Sequence, residues 1–148
     1  MQELDGGDRD GIAAAMAAAE RPVAIRGLAS AWPAVAAAWE GDEAIASYLS
    51  ARDIGRPLTV LVAPPEVGGR YFYDDAMRGF NFGTAKMPMR ELLARLLAER
   101  GQDDVQGLYA GSNPTLASVG TFAAENPLDI DTQGVDPRIW VGNASRIA

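Results

Sequence analysis

Apolar positions near the start of the chain recur at helical spacing. Ile12, Ala13, Met16 and Ala17 form one stripe, and Asp8 stands where an N-cap belongs. Pro22 stops that helix, so residues 1–20 read as an N-terminal helical region. Val23-Ala24-Ile25 is a short apolar run closed by Gly27, the pattern of a buried strand. Trp32-Pro33 opens an alanine-rich helix or turn that runs to Trp39, and Asp42 is placed to cap a further helix carrying Ile45, Tyr48 and Leu49. Leu58-Thr59-Val60-Leu61-Val62, apolar and β-branched, predicts the clearest strand, ended by Pro64-Pro65. Gly68-Gly69 turns the chain into an aromatic strand at Arg70-Tyr71-Phe72-Tyr73, which suggests a hairpin, and Phe80-Asn81-Phe82 is a third strand candidate.

The strongest helical signal starts at Pro88. Met89, Leu92, Leu93, Leu96 and Leu97 form its apolar stripe, Arg90, Arg95 and Glu99 lie outside it, and Gly101 ends it. Leu108-Tyr109-Ala110 reads as a strand, Gly111-Ser112-Asn113-Pro114 as a turn, and 121–125 as a short helix. A loop-like stretch over 126–137 leads to Ile139-Trp140-Val141, a β-rich run. Helices alternate with strands in the first half and strands dominate later. The prediction is one α+β domain over residues 1–148, with no repeat and no linker.

Composition narrows the chemistry. The net charge is −7, which turns the chain away from nucleic acid and from anionic membrane surfaces. No apolar run approaches a membrane span, and the acidic start, Met1-Gln2-Glu3-Leu4-Asp5, differs from a secretory signal; a cytoplasmic location is expected. The sequence has no cysteine and no histidine. That removes disulfides, thiolate ligands, cysteine nucleophiles, and the commonest metal ligand and general base.

The remaining constellations are thin. Asp129-Ile130-Asp131-Thr132-Gln133-Gly134 has the opening spacing of a calcium loop, but Trp140 falls where the bidentate glutamate belongs, so an acidic loop is the better account. Asp74 and Asp75 are adjacent, and neighbours on a strand point to opposite faces, which fits a turn exposing carboxylates better than a shared ligand site. Asn143-Ala144-Ser145 is a formal glycosylation sequon without a secretory context. No serine has a histidine base, and nothing supports a Ser/Lys arrangement using Lys86, the single lysine. Tyr109, before a glycine turn, reads from pattern alone as a core tyrosine with its hydroxyl at the sheet edge.

Five segments, in order, carry a resemblance. They are Arg21-Pro22-Val23-Ala24-Ile25-Arg26-Gly27 through Trp32-Pro33, Val62-Ala63-Pro64-Pro65 through Tyr73, Met77-Arg78-Gly79-Phe80-Asn81-Phe82, Leu108-Tyr109-Ala110-Gly111-Ser112, and Arg138-Ile139-Trp140-Val141-Gly142-Asn143. Together they resemble bacterial cupin-like proteins related to the JmjC oxygenases, among whose relatives is the asparaginyl hydroxylase of hypoxia-inducible factor. The resemblance implies an N-terminal helical and β-hairpin region followed by the first strands of a double-stranded β-helix (jelly roll). It also implies Fe(II) held by a His-x-Asp/Glu pair and a distant histidine, with 2-oxoglutarate as co-substrate.

In the family the His-x-Asp pair follows almost directly after the segment matching Gly142-Asn143-Ala144-Ser145. This sequence, which has no histidine, is therefore expected to be the N-terminal part of such an enzyme, binding no cofactor by itself and catalytically inert alone. One site residue carries over: Tyr109 matches a family tyrosine whose hydroxyl bonds the far carboxylate of 2-oxoglutarate. A phenol suits that task because it donates to an anion without adding charge. Gly111 stands where the asparaginyl hydroxylase has a polar residue, which implies different substrate contacts. Asn143 is expected to be structural, an amide tying strand to turn. The substrate, a protein side chain or a small molecule, stays open, and the resemblance admits a homodimer of a longer parent. Two other readings stand beside this one: a short binding module, and a metal-free cupin-like protein with structural duties.

Overall fold

The computed structural model describes residues 2–18, 21–128, 130, 134–143 and 146–147. It begins with a strand that the sequence pattern did not reveal. β1 (Gln2–Asp5) pairs in parallel with β2 (Val23–Arg26), and α1 (Arg9–Ala18) connects them. Asp8 starts α1 as expected, its Oδ1 accepting the Gly11 N–H at 2.9 Å. Of the expected stripe only Ile12 is buried, whereas Met16 is exposed. β1 is polar and mostly exposed, so nothing in its periodicity distinguishes it from a tail.

α2 (Pro33–Glu40) has Pro33 at its first turn, and α3 (Asp42–Ser50) follows after Gly41. Asp42 is not the cap. Gly41 holds that position at φ +130°, and the Asp42 carboxylate turns away to accept Arg100 Nη1 at 2.8 Å.

The central sheet has four antiparallel strands in the order β5-β3-β6-β7. They are β3 (Leu58–Ala63), β5 (Gly83–Met87), β6 (Gly107–Pro114) and β7 (Arg138–Gly142). The expected hairpin between the 58–62 strand and the aromatic segment does not form. β3 pairs instead with β5, in register Leu58↔Met87 through Val62↔Gly83. The aromatic segment contributes only β4 (Arg70–Tyr71), which pairs in parallel with β8 (Arg146–Ile147). Phe80 makes a single bridge to Tyr73, and the third strand lies just beyond the predicted one, at β5. The physical reason is local: Asn81 Oδ1 accepts the Phe72 N–H at 2.9 Å and its Nδ2 donates to the Arg70 carbonyl at 2.9 Å, closing this segment on itself.

β6 is longer than predicted. The Gly111-Ser112-Asn113-Pro114 turn is a β-bulge inside the strand: Ala110 faces Val141, the register then shifts, and Asn113 faces Ile139. Ser112 takes up the extra residue at φ +52°. Two one-turn helices follow, α5 (Thr115–Ser118), which was not expected, and α6 (Phe122–Glu125), which was.

The core lies between one face of the sheet and the helices α3 and α4 (Met89–Glu99). Leu58 and Val60 of β3, Leu108 and Ala110 of β6, and Met87 of β5 meet Leu49, Met89, Leu92 and Leu93. Complete burial of side chains such as Val60, Leu92 and Leu108 stabilises the fold by roughly 1.5–3 kcal/mol each. Pro88 stands at the N-cap of α4, one residue earlier than expected, and Gly101 stops the helix at φ +73°. Among the described residues no helix is long and apolar enough to cross a membrane.

Candidate functional site

Strand alternation decides which way Tyr109 points. Leu108 and Ala110 belong to the core beneath the helices, so Tyr109 stands on the opposite face of β6. In the ladder it lies between Leu61 of β3 and Gly142 of β7. Its ring lies flat over two glycines. A Cβ at Gly111 would fall 2.6 Å from the ring's Cε1, and one at Gly142 would fall 3.1 Å from Cδ2. Gly111, which reads as part of a turn, and Gly142, at the end of the 139–141 strand, thus clear the floor on which this ring rests. Tyr109 is half-buried, and its hydroxyl makes no hydrogen bond among the described residues.

Tyr71 of β4 packs beside it, the ring centroids 5.9 Å apart and the planes tilted by 45°. Phe82 closes the other flank of Tyr71 at 5.4 Å, edge-on. Tyr71 is only 4 % exposed, and its hydroxyl has no hydrogen-bond partner among the described residues. Burial, together with the neighbouring Tyr109, pushes the Tyr71 phenol up to about 12. The sequence pattern gave Tyr71 no role beyond an aromatic strand. The missed signal is Gly107, which leaves space under its hydroxyl.

Asn143 ties β7 back to β6 as expected. Its Oδ1 accepts the Leu108 N–H at 3.0 Å and its Nδ2 donates to the Gln106 carbonyl at 2.8 Å. These bonds hold the two residues that flank Gly107 and, through Leu108, the backbone leading into Tyr109.

The other sequence candidates do not join this site. Asp74 sits in a turn, its Oδ1 accepting the Arg78 N–H at 3.0 Å; it is half-buried and Asp75 is exposed. Lys86 donates to Thr59 Oγ1 across the β3–β5 ladder at 2.5 Å. Asp129, Asp131, Thr132 and Gln133 of the acidic loop lie outside the described residues, as do Ala144 and Ser145 of the sequon. A groove of about 480 Å³ lies elsewhere, on the helical side of the sheet. Ile45, Ala46, Leu93, Leu96 and Leu97 wall it, and it reaches Gly142 and Asn143 at one end.

Iron does not fit these residues. The sequence offers no imidazole or thiolate, and the described residues hold no cluster of three or more carboxylates that could grip a metal. The Tyr109 face does suit one end of an organic anion: its phenol is a hydrogen-bond donor, and Thr84 shares its row of the sheet across Leu61.

The family model of the cupin-like domain matches residues 10–148. Neither the curated proteins nor the solved structures contain a match to the chain.

Proposed function

Because the chain belongs to the cupin-like domain family, we propose that it forms the co-substrate side of an Fe(II)- and 2-oxoglutarate-dependent hydroxylase. The observation that carries this reading is the setting of Tyr109. Its ring lies over two glycines, on the sheet face turned away from the helices, and its hydroxyl has no partner among the described residues. The phenol there donates to the far carboxylate of 2-oxoglutarate and orients it. The iron, when bound, supplies the oxidative chemistry. Its two histidines have to come from residues beyond these 148, so the chain's own contribution is scaffold and co-substrate contact.

Two preparations test the proposal, each assayed for succinate formed from 2-oxoglutarate with Fe(II). The 148-residue chain alone is expected to give none. The chain extended by its contiguous downstream coding segment is expected to turn over, and Tyr109→Phe in that longer protein is expected to raise the KM for 2-oxoglutarate. Turnover by the short chain, or an extended chain indifferent to Tyr109→Phe, contradicts it.

A second reading, a non-catalytic interaction module, draws on a different feature. β7 is the last strand in the sheet order, and its Trp140 is 55 % exposed. An edge strand with an exposed aromatic ring is a template for pairing with another chain. A cooperative melt that appears only with a strand-donating partner supports this reading over the first.

A further inference from the structure

Two buried polar atoms lack a hydrogen-bond partner among the described residues: Glu99 Oε2, whose carboxylate is bonded to Arg95 through its other oxygen, and the Tyr71 hydroxyl, which has nothing. A buried phenol without an acceptor lowers stability, because its hydration is lost and nothing replaces it. Native interiors hold few such groups, and each calls for a specific account. The Tyr71 ring is held from both sides in sequence: Asn81 binds the carbonyl of Arg70 and the N–H of Phe72, and β4 pairs with β8. Gly107 is part of the same arrangement, since a Cβ there would stand 2.9 Å from the Tyr71 oxygen and 3.2 Å from the Ala63 Cβ. The backbone thus fixes the ring and the sheet leaves room for its oxygen, while no described residue accepts its proton.

The hydroxyl lies on the same sheet face as Tyr109, with the two rings in contact. We propose that Tyr71 is a second ligand-binding phenol, donating a hydrogen bond to the carboxylate-bearing small molecule that Tyr109 holds. This rests on the reading of Tyr109 given above and adds a residue to it. The chemistry is consistent on both sides. The Tyr71 phenol stays protonated across the physiological range, so it has a proton to donate, and a carboxylate oxygen makes the strongest bond to a neutral donor in a low-dielectric setting. The orphaned hydroxyl is then a group that is destabilising without ligand and satisfied with it.

The test uses the chain extended by its contiguous downstream coding segment, as wild type, Tyr71→Phe and Tyr109→Phe, with 2-oxoglutarate as probe. Two quantities are read: the thermal midpoint without ligand, and the affinity from ligand-observed NMR. Tyr71→Phe removes only the orphaned oxygen, so its ligand-free midpoint is expected to rise above wild type. Its affinity for 2-oxoglutarate is expected to fall by about tenfold, the scale of one hydrogen bond to a charged group. Tyr109→Phe is expected to weaken binding without that rise. A lower midpoint with unchanged affinity in Tyr71→Phe overturns the inference by giving the hydroxyl a structural role. Weakening by Tyr109→Phe but not by Tyr71→Phe overturns the inference alone. A wild-type chain that does not bind, or that binds independently of both phenols, overturns it together with the reading of Tyr109.

Discussion

Tyr109 and Gly142 face each other across the β6–β7 ladder, and the glycine's missing side chain is what lets the tyrosine ring lie down. A Cβ on Gly142 would stand 2.5 Å from the Leu108 carbonyl oxygen as well as 3.1 Å from the ring. The first of those neighbours is backbone and cannot move aside. Gly142→Ala is therefore expected to destabilise the chain by about 1–3 kcal/mol, the usual cost of overpacking. It should also displace the Tyr109 ring. Urea denaturation measures the first effect, and the Tyr109 ring proton shifts report the second.

Asn143 does a different job at the same strand end. Replacing it by alanine leaves the Leu108 N–H and the Gln106 carbonyl without their present partners. The expected loss is about 1–3 kcal/mol for the buried donor, because Leu108 is fully buried. Asn143→Asp keeps an acceptor for Leu108 but turns a carboxylate oxygen toward the Gln106 carbonyl oxygen, so it too is expected to destabilise the chain in the same denaturation assay.

Asp53 is one source of a pH effect, and its side chain is wholly buried. Burial alone would raise its pKa, but hydrogen bonds from the Arg90 side chain at 2.8 Å, the Arg90 N–H and the Gly55 N–H prevail and hold it below the usual carboxylate range. A depressed folded-state pKa stabilises the fold above the unfolded pKa of about 4. That contribution is lost as pH falls through the lower, folded value. Asp53→Asn is expected to lower stability at neutral pH and to flatten the acid limb of a stability–pH curve. An acid limb as steep in the variant as in wild type contradicts the assignment.

Asn126 fastens α2, α3 and α6 to one another. It is 4 % exposed, its Oδ1 accepts the Ala34 N–H at 3.0 Å, and its Nδ2 donates to the Tyr48 hydroxyl and the Phe122 carbonyl. The Glu125 carboxylate beside it binds the Tyr48 hydroxyl and Arg52. Asn126→Ala orphans the Ala34 N–H at the start of α2. The expected cost is about 1–3 kcal/mol, and amide exchange at Ala34 should quicken more than amide exchange in β3.

Much of this architecture is legible in the sequence wherever burial imposes a period. β3, α4 and the 139–141 strand follow from apolar spacing because each puts one face against the common core. β1 was hidden because it is polar and mostly exposed, and β5 because Gly83-Thr84-Ala85-Lys86 carries little apolar contrast. The aromatic segment misled for the opposite reason. Tyr71, Phe72 and Tyr73 have strand propensity, but Phe72 and Tyr73 are exposed and Asn81 holds the segment in a local closure that propensity does not encode. Tyr109 could be singled out by resemblance and Asn143 by motif. Tyr71 required the structure, since an orphaned hydroxyl is a property of packing and not of pattern.

We propose that these 148 residues carry the co-substrate contacts of an iron oxygenase whose histidines lie elsewhere in the same polypeptide. Reading the coding frame beyond codon 148 tests it most directly. The account predicts a His-x-Asp or His-x-Glu pair within a few codons and a further histidine downstream. A stop codon after Ala148, or a long continuation without that pair, would contradict it.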